Sequence, residues 1–185
     1  MRDQLRIAVF TIVEGITLVV WLALVRSNAG IYQVSTGSLV AGIVVLAVGF
    51  TIEHIIAYNV IHNRGLLDLQ GVPVAQKSIV SLIETVIWAV WLVLANINAI
   101  IAAVVLLGLL IVEHTLSDNV FKGRDIFSKL LDARTIGFSL VEAVGAGIWL
   151  SLVQANMSVA GIVIVLIASF IEHTLAVALA RKPQL

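Results

Sequence analysis

Six stretches of this sequence are long, apolar and almost free of charge. They run over about 6–26, 37–61, 77–96, 99–117, 134–154 and 158–180. A helix crossing a hydrocarbon core of about 30 Å needs roughly 20 apolar residues, each advancing it by about 1.5 Å. The runs are continuously apolar rather than alternating, so a transmembrane β-barrel does not fit. Gly- and Asn-rich segments separate them: Ser27-Asn28-Ala29-Gly30, Ser35-Thr36-Gly37, Asn63-Arg64-Gly65, Asn96-Ile97-Asn98 and Gln154-Ala155-Asn156. Such segments mark chain reversals. Of the 185 residues, 61% are hydrophobic and only 12% charged, about half the charged share of an ordinary soluble domain. Too little polar surface remains to cover a water-exposed domain, so lipid is the expected solvent and the bilayer the expected partner. The reading is all-α: a single integral membrane domain over 1–185, built as a six-helix bundle. The first run, Ile7 to Val25, is too long for a signal-peptide core and no small-residue cleavage site follows it, so it is expected to be a retained helix.

Charge sets the expected orientation. Six crossings put the N-terminus, the second and fourth loops and the C-terminus on one side. That side holds Arg2, Arg6, Arg64, Lys77, Lys122, Arg124, Lys129, Arg134, Arg181 and Lys182, and the other holds only Arg26. The positive-inside rule then predicts both termini in the cytoplasm, in a prokaryotic cytoplasmic membrane. Formal net charge is zero and there is no basic patch, so nucleic acid is not an expected partner. Cysteine is absent, which excludes disulfides, thiolate metal sites and iron–sulfur clusters.

An internal repeat organises the polar residues. The odd-numbered helices carry Thr11, Glu14, Trp21 and Asn28; Ser81, Glu84, Trp91 and Asn98; and Ser139, Glu142, Trp149 and Asn156. Each time a hydroxyl residue is followed by Glu three later, Trp seven after that, and Asn after seven more. Leu22, Leu92 and Leu150 follow the three Trp. The even-numbered helices each carry a Glu-His pair: Glu53-His54, Glu113-His114 and Glu172-His173. The expected unit is a helical hairpin of about 60 residues, repeated at about 6–64, 76–124 and 134–182 around a pseudo-threefold axis. All three copies have the same orientation, unlike the inverted repeats of many transporters.

Spacings of three and seven keep the hydroxyl, Glu, Trp and Asn on one helix stripe, which must face the bundle because the alternative exposes Glu to lipid. Helical rise puts Glu14, Glu84 and Glu142 about 10–12 Å from the positive side and the Glu-His pairs about 6–15 Å from it. All six Glu of the chain and three of its four His therefore share one layer, whereas its five Asp lie in segments on the positive side. No Lys or Arg is expected at that depth. Neutral imidazoles leave the layer with six negative charges, and three protonated ones still leave a deficit of three. Buried charges pair, take up protons or bind metal.

Intramembrane ionisable residues default to a functional reading. Glu and His without Cys suit transition-metal ions, iron favoured, with manganese or zinc as alternatives and zinc fitting so many carboxylates least well. Inward-facing di-metal carboxylate bundles use four Glu and two His. Their Glu-x-x-His motif puts both ligands on one face, whereas adjacent Glu and His here diverge by about 100°. One member of each pair is then expected to face the axis and the other a neighbouring hairpin. The candidate metal ligands are Glu14, Glu53, His54, Glu84, Glu113, His114, Glu142, Glu172 and His173. His54, His114 and His173 are expected as direct ligands, Glu14, Glu84 and Glu142 as bridging or terminal ones, and the remaining Glu as ligands or their supports. The activity this chemistry points to is a membrane-bound metal-dependent oxidoreductase acting on dioxygen, a lipid-soluble substrate such as a quinone, or another small molecule. Two alternatives stand beside it. A carboxylate ring near an axis can select cations or relay protons in a channel or transporter. A purely structural network in an accessory subunit would hold the hairpins together through hydrogen bonds worth only about 0.6 kcal/mol each.

Other residues read more plainly. Trp21, Trp91 and Trp149 lie above the Glu and suit packing between helices, and Trp88 has no counterpart in the other repeats. His62, Asn59 and Asn119 are expected at helix ends near the interface. Gly145-Ala146-Gly147 lies inside a helix and suits close helix contact rather than phosphate binding. The segment Phe121 to Arg134 places Ile126, Phe127, Leu130 and Leu131 as on an amphipathic turn lying along the membrane surface.

Overall fold

The computed structural model describes residues 2–25 and 36–181. Six α-helices account for most of them: α1 (Arg2–Val25), α2 (Thr36–Ile61), α3 (Val74–Ile97), α4 (Ala99–Phe121), α5 (Ile136–Gln154) and α6 (Ser158–Ala180), with a single 3₁₀ turn, Ala133–Thr135, leading into α5. All six are long and apolar enough to cross a membrane. Their 19 to 26 residues correspond to about 28–39 Å of helix. Ile12, Ile16, Val44, Val48, Val86, Val90, Val144 and Ile148 point outward, as an apolar surface facing acyl chains requires.

The helices close on themselves. Each packs against its neighbours in the chain and α6 returns to α1, while α2 also touches α6 across the bundle. Helices in lipid associate by fit, and small residues let backbones approach. A side chain at Gly49 would collide with Thr17 of α1, and one at Gly145 with Ala168 of α6. Gly147, by contrast, faces open space, so the close contact expected of the Gly145–Gly147 segment belongs to Gly145 alone.

Asn98 and Asn156 are turn formers. Asn98 is the single residue between α3 and α4, and its Oδ1 accepts from the backbone N–H of Ile100 and Ile101 at 3.0 Å each. Asn156 adopts a positive φ of 61°, a left-handed conformation that Asn tolerates better than most residues. Asn28, Arg26 and Lys182, together with the Ser27–Gly30 turn, lie outside the described residues.

On the opposite side, two longer loops are tied down from within. Asn59 is fully buried, and its Nδ2 donates to the carbonyls of Leu66 and Asp68 at 3.0 and 2.9 Å. Asn119, equally buried, donates to Ile126 and Lys129 at 2.9 and 2.8 Å. These two residues sit near the helix ends, as the sequence predicts, and act there as loop clamps. The segment after α4 is a series of turns, with Ile126 packed inward on Val80, Leu116 and Val120. Phe127, Leu130 and Leu131 stay exposed. Asp132 caps the 3₁₀ turn by accepting from the N–H of Arg134. The side-chain hydrogen bond from Arg134 holds its carboxyl well below the usual Asp range.

Candidate metal centre

Each of the six helices delivers one carboxylate or one Glu-His pair to a common layer. Eight of the nine predicted residues are buried, and His114 is slightly more open, with 13% of its side chain exposed. Each imidazole has one nitrogen near a hydroxyl from an odd-numbered helix. His173 Nδ1 lies 2.8 Å from Thr11 Oγ1, His114 Nδ1 lies 2.7 Å from Ser139 Oγ, and His54 Nδ1 lies 3.1 Å from Ser81 Oγ.

The hydroxyl protons are committed elsewhere. Thr11 donates to the carbonyl of Ile7 at 3.0 Å, Ser139 to Thr135 at 2.9 Å and Ser81 to Lys77 at 2.9 Å. With those bonds made, Thr11 and Ser139 are placed to accept from the Nδ1–H of their histidines, and a neutral ring so bonded turns its Nε2 lone pair toward the layer. At His54 the Nδ1–H points to the carbonyl of Phe50, 2.9 Å away, and Nε2 again faces a carboxylate.

Three carboxylates surround each imidazole. His114 Nε2 lies 3.5 Å from Glu113, 3.2 Å from Glu142 and 3.5 Å from Glu172. For His173 Nε2 the partners are Glu172 at 3.1 Å, Glu14 at 3.3 Å and Glu53 at 3.7 Å. His54 meets Glu53 at 3.2 Å and Glu84 at 3.7 Å through Nδ1, and Glu113 at 3.4 Å through Nε2. Each set combines the Glu of its own pair, a Glu from an odd-numbered helix and a Glu from another pair.

A lone-pair nitrogen facing a carboxylate oxygen at such distances is repulsive unless a proton or a cation lies between them. Metal ligation would account for the spacing. Ligand bonds of about 2.1 Å separate neighbouring ligand atoms by about 3.0 Å at right angles and about 3.4 Å at tetrahedral angles. The Oε2 atoms of Glu14, Glu84 and Glu142 are buried and accept no hydrogen bond, although buried polar groups normally find a partner. Ligand atoms of Glu53, His54 and Glu84 all lie within 4.8 Å of one another. The structure thus contains a buried Glu/His group able to hold a metal ion.

Lys77 departs from expectation. The sequence places it at the start of the third span, with no Lys or Arg expected beside the Glu. It lies inside α3, fully buried, with Nζ making no hydrogen bond. Its Nζ sits 3.2 Å from the centre of the Phe121 ring and 5.4 Å from that of Tyr58. Glu53, Glu113 and Asp118 are the acidic groups that act on it. The layer therefore has one cationic side chain beside it. The signal was present in the sequence: Lys77 precedes Glu84 by seven residues, on the same stripe, as Ile7 precedes Glu14 and Thr135 precedes Glu142.

One side of the layer is sealed. Trp88 is fully buried, with its ring centre 6.3 Å from that of Trp21, 5.3 Å from Trp91 and 6.5 Å from Trp149. It thus joins the three repeated Trp into one plug. Its equivalents, Leu18 and Ala146, are smaller, so one large side chain occupies space that three could not share. On the other side a cavity of about 60 Å³ leads from all six Glu and all three His of the layer toward the C-terminal ends of α2, α4 and α6. Compared with known protein families, characterised proteins and solved structures, the chain has no match.

Proposed function

We propose that this protein is three helical hairpins, repeated at about 6–64, 76–124 and 134–182 around a pseudo-threefold axis, that hold a multinuclear transition-metal centre. The centre would be of the iron type, with manganese or zinc as alternatives. Its ligands are drawn from Glu14, Glu53, His54, Glu84, Glu113, His114, Glu142, Glu172 and His173. The reading includes redox chemistry, a prokaryotic cytoplasmic membrane and both termini in the cytoplasm. It rests chiefly on the tautomers: at His114 and His173 the hydroxyl is placed to accept from Nδ1–H, and a neutral ring so bonded turns its Nε2 lone pair toward carboxylates. The threefold arrangement draws support from the equivalent neighbours of the three histidines. Oxygen-rich, nitrogen-poor donor sets favour iron and manganese over zinc. Bound there, such a metal supplies one-electron chemistry. The chain's own residues orient the imidazoles, exclude water on the Trp side and leave one approach open.

Elemental analysis of protein purified without chelator tests this. The expected result is two or more equivalents of one transition metal, lost in His114→Ala. Folded wild-type protein that binds no metal even after reconstitution with Fe(II), Mn(II) or Zn(II) would overturn it. The Trp plug opposes the channel reading, which predicts ion or proton flux in liposomes that Glu84→Gln abolishes.

A further inference from the structure

Beyond the Glu/His layer the cavity changes character. Phe10, Phe121, Phe138, Ala57, Ala176 and Leu179 form most of its wall there. Two of these rings lie against imidazoles: Phe10 is 4.3 Å from His173, and Phe138 is 4.7 Å from His114, centre to centre. Ser117 and Asp118 interrupt the apolar wall. Asp118 is already neutralised, with Lys122 Nζ at 2.6 Å and Arg124 Nη2 at 2.9 Å. No free carboxylate is therefore offered along this wall to replace the water around an incoming cation. A small uncharged molecule gives up far less hydration against phenyl and methyl groups than an ion does. Size narrows the choice. The whole cavity, layer and vestibule together, is about 60 Å³, less than half the roughly 150 Å³ apolar cavity that accepts benzene. Only a few heavy atoms fit.

We propose that this vestibule is a binding and access site for a small, uncharged, weakly polar molecule of the size of dioxygen. What happens to that molecule at the layer rests on the metal reading above; its binding in the vestibule does not. The step proposed is binding and passage alone.

Xenon matches such a guest in size and polarity and is visible in diffraction. Crystals of the full chain pressurised with xenon are expected to hold it among Phe10, Phe121 and Phe138. Ala176→Phe, which fills the wall, is expected to lose that xenon while its metal content, measured on the same preparation, stays at the wild-type level. An ordered water chain, a detergent or lipid acyl chain in the wild-type vestibule, or xenon only in the lipid-facing grooves, would overturn the proposal. Xenon persisting in the vestibule of Ala176→Phe would overturn it as well. The wild-type crystal decides the matter even if that variant does not fold. Xenon without metal leaves the vestibule standing and removes the metal centre; metal without xenon does the reverse.

Discussion

A neutral imidazole has one proton and one lone pair, so the partner of one nitrogen fixes what the other can do. At His114 that partner is Ser139, whose own proton goes to the Thr135 carbonyl. Ser139→Ala removes the acceptor without touching any carboxylate. Partners of this kind are worth about 10–100-fold in metal affinity, and a loss of that size is expected in competition with a chromophoric chelator. Unchanged affinity would mean that His114 is not a ligand. Lys77 poses the opposite question. Its Nζ is buried and bonded to no oxygen, with the Phe121 and Tyr58 rings close by and Glu53, Glu113 and Asp118 acting through space. A ring face gives a desolvated cation about 2 kcal/mol, less than the several kcal/mol that burying an ammonium costs. Lys77→Met keeps the volume and removes that cost, so thermal unfolding in detergent is expected at or above the wild-type temperature. A large drop would show that its charge stabilises the Glu layer by more than its burial costs.

At the scale of elements, what holds the loops and the plug was less legible than the helices themselves. Asn119 fastens the turns after α4 through Ile126 and Lys129. Asn119→Ala leaves two carbonyls unpaired, at about 1–3 kcal/mol each if they stay dry. Faster proteolysis within residues 122–132, with the helices intact, is the expected signature, and wild-type resistance would show that the clamp is idle. Trp88→Ala opens a hole among Trp21, Trp91 and Trp149. A loss of about 3–5 kcal/mol in stability is expected from such a truncation, measurable by denaturant unfolding in micelles. The helices could be read from the sequence because a span must satisfy its backbone internally and so declares itself by length and apolarity. The layer was legible because Glu is too costly in lipid to point outward, so spacing and rise alone gave its depth. Lys77 was misplaced because a cation near a helix end is usually an interface anchor, and only its register with Glu84 said otherwise. Asn59 and Asn119 could not be read, since their partners are loop carbonyls brought near by folding. Trp88 was invisible for a related reason: its place depends on small residues, Leu18 and Ala146, on two other helices.

At the scale of the molecule, sidedness joins the layer to its surroundings. The cavity opens at the ends of α2, α4 and α6, and α2 and α4 continue there into the loops over 62–73 and 122–132. Those loops carry most of the cationic residues outside the helices, which the positive-inside rule assigns to the cytoplasm. The vestibule, the layer and the Trp plug would then follow one another from the cytoplasm outward, so a guest would reach the histidines from the cell interior and be stopped by tryptophan. The sequence contains no cysteine, so single-cysteine variants give an unambiguous topology. Gln70 and Ser128 are exposed in the two loops, and Ala99 is exposed at the turn between α3 and α4. With a membrane-impermeant maleimide on intact spheroplasts, Ala99→Cys is expected to label at once, and Gln70→Cys and Ser128→Cys only after lysis. The reverse pattern would turn the molecule over and place the vestibule on the outer face. Labelling of Gln70→Cys and Ser128→Cys from different sides would break the six-crossing arrangement, and with it any common layer for the three Glu-His pairs.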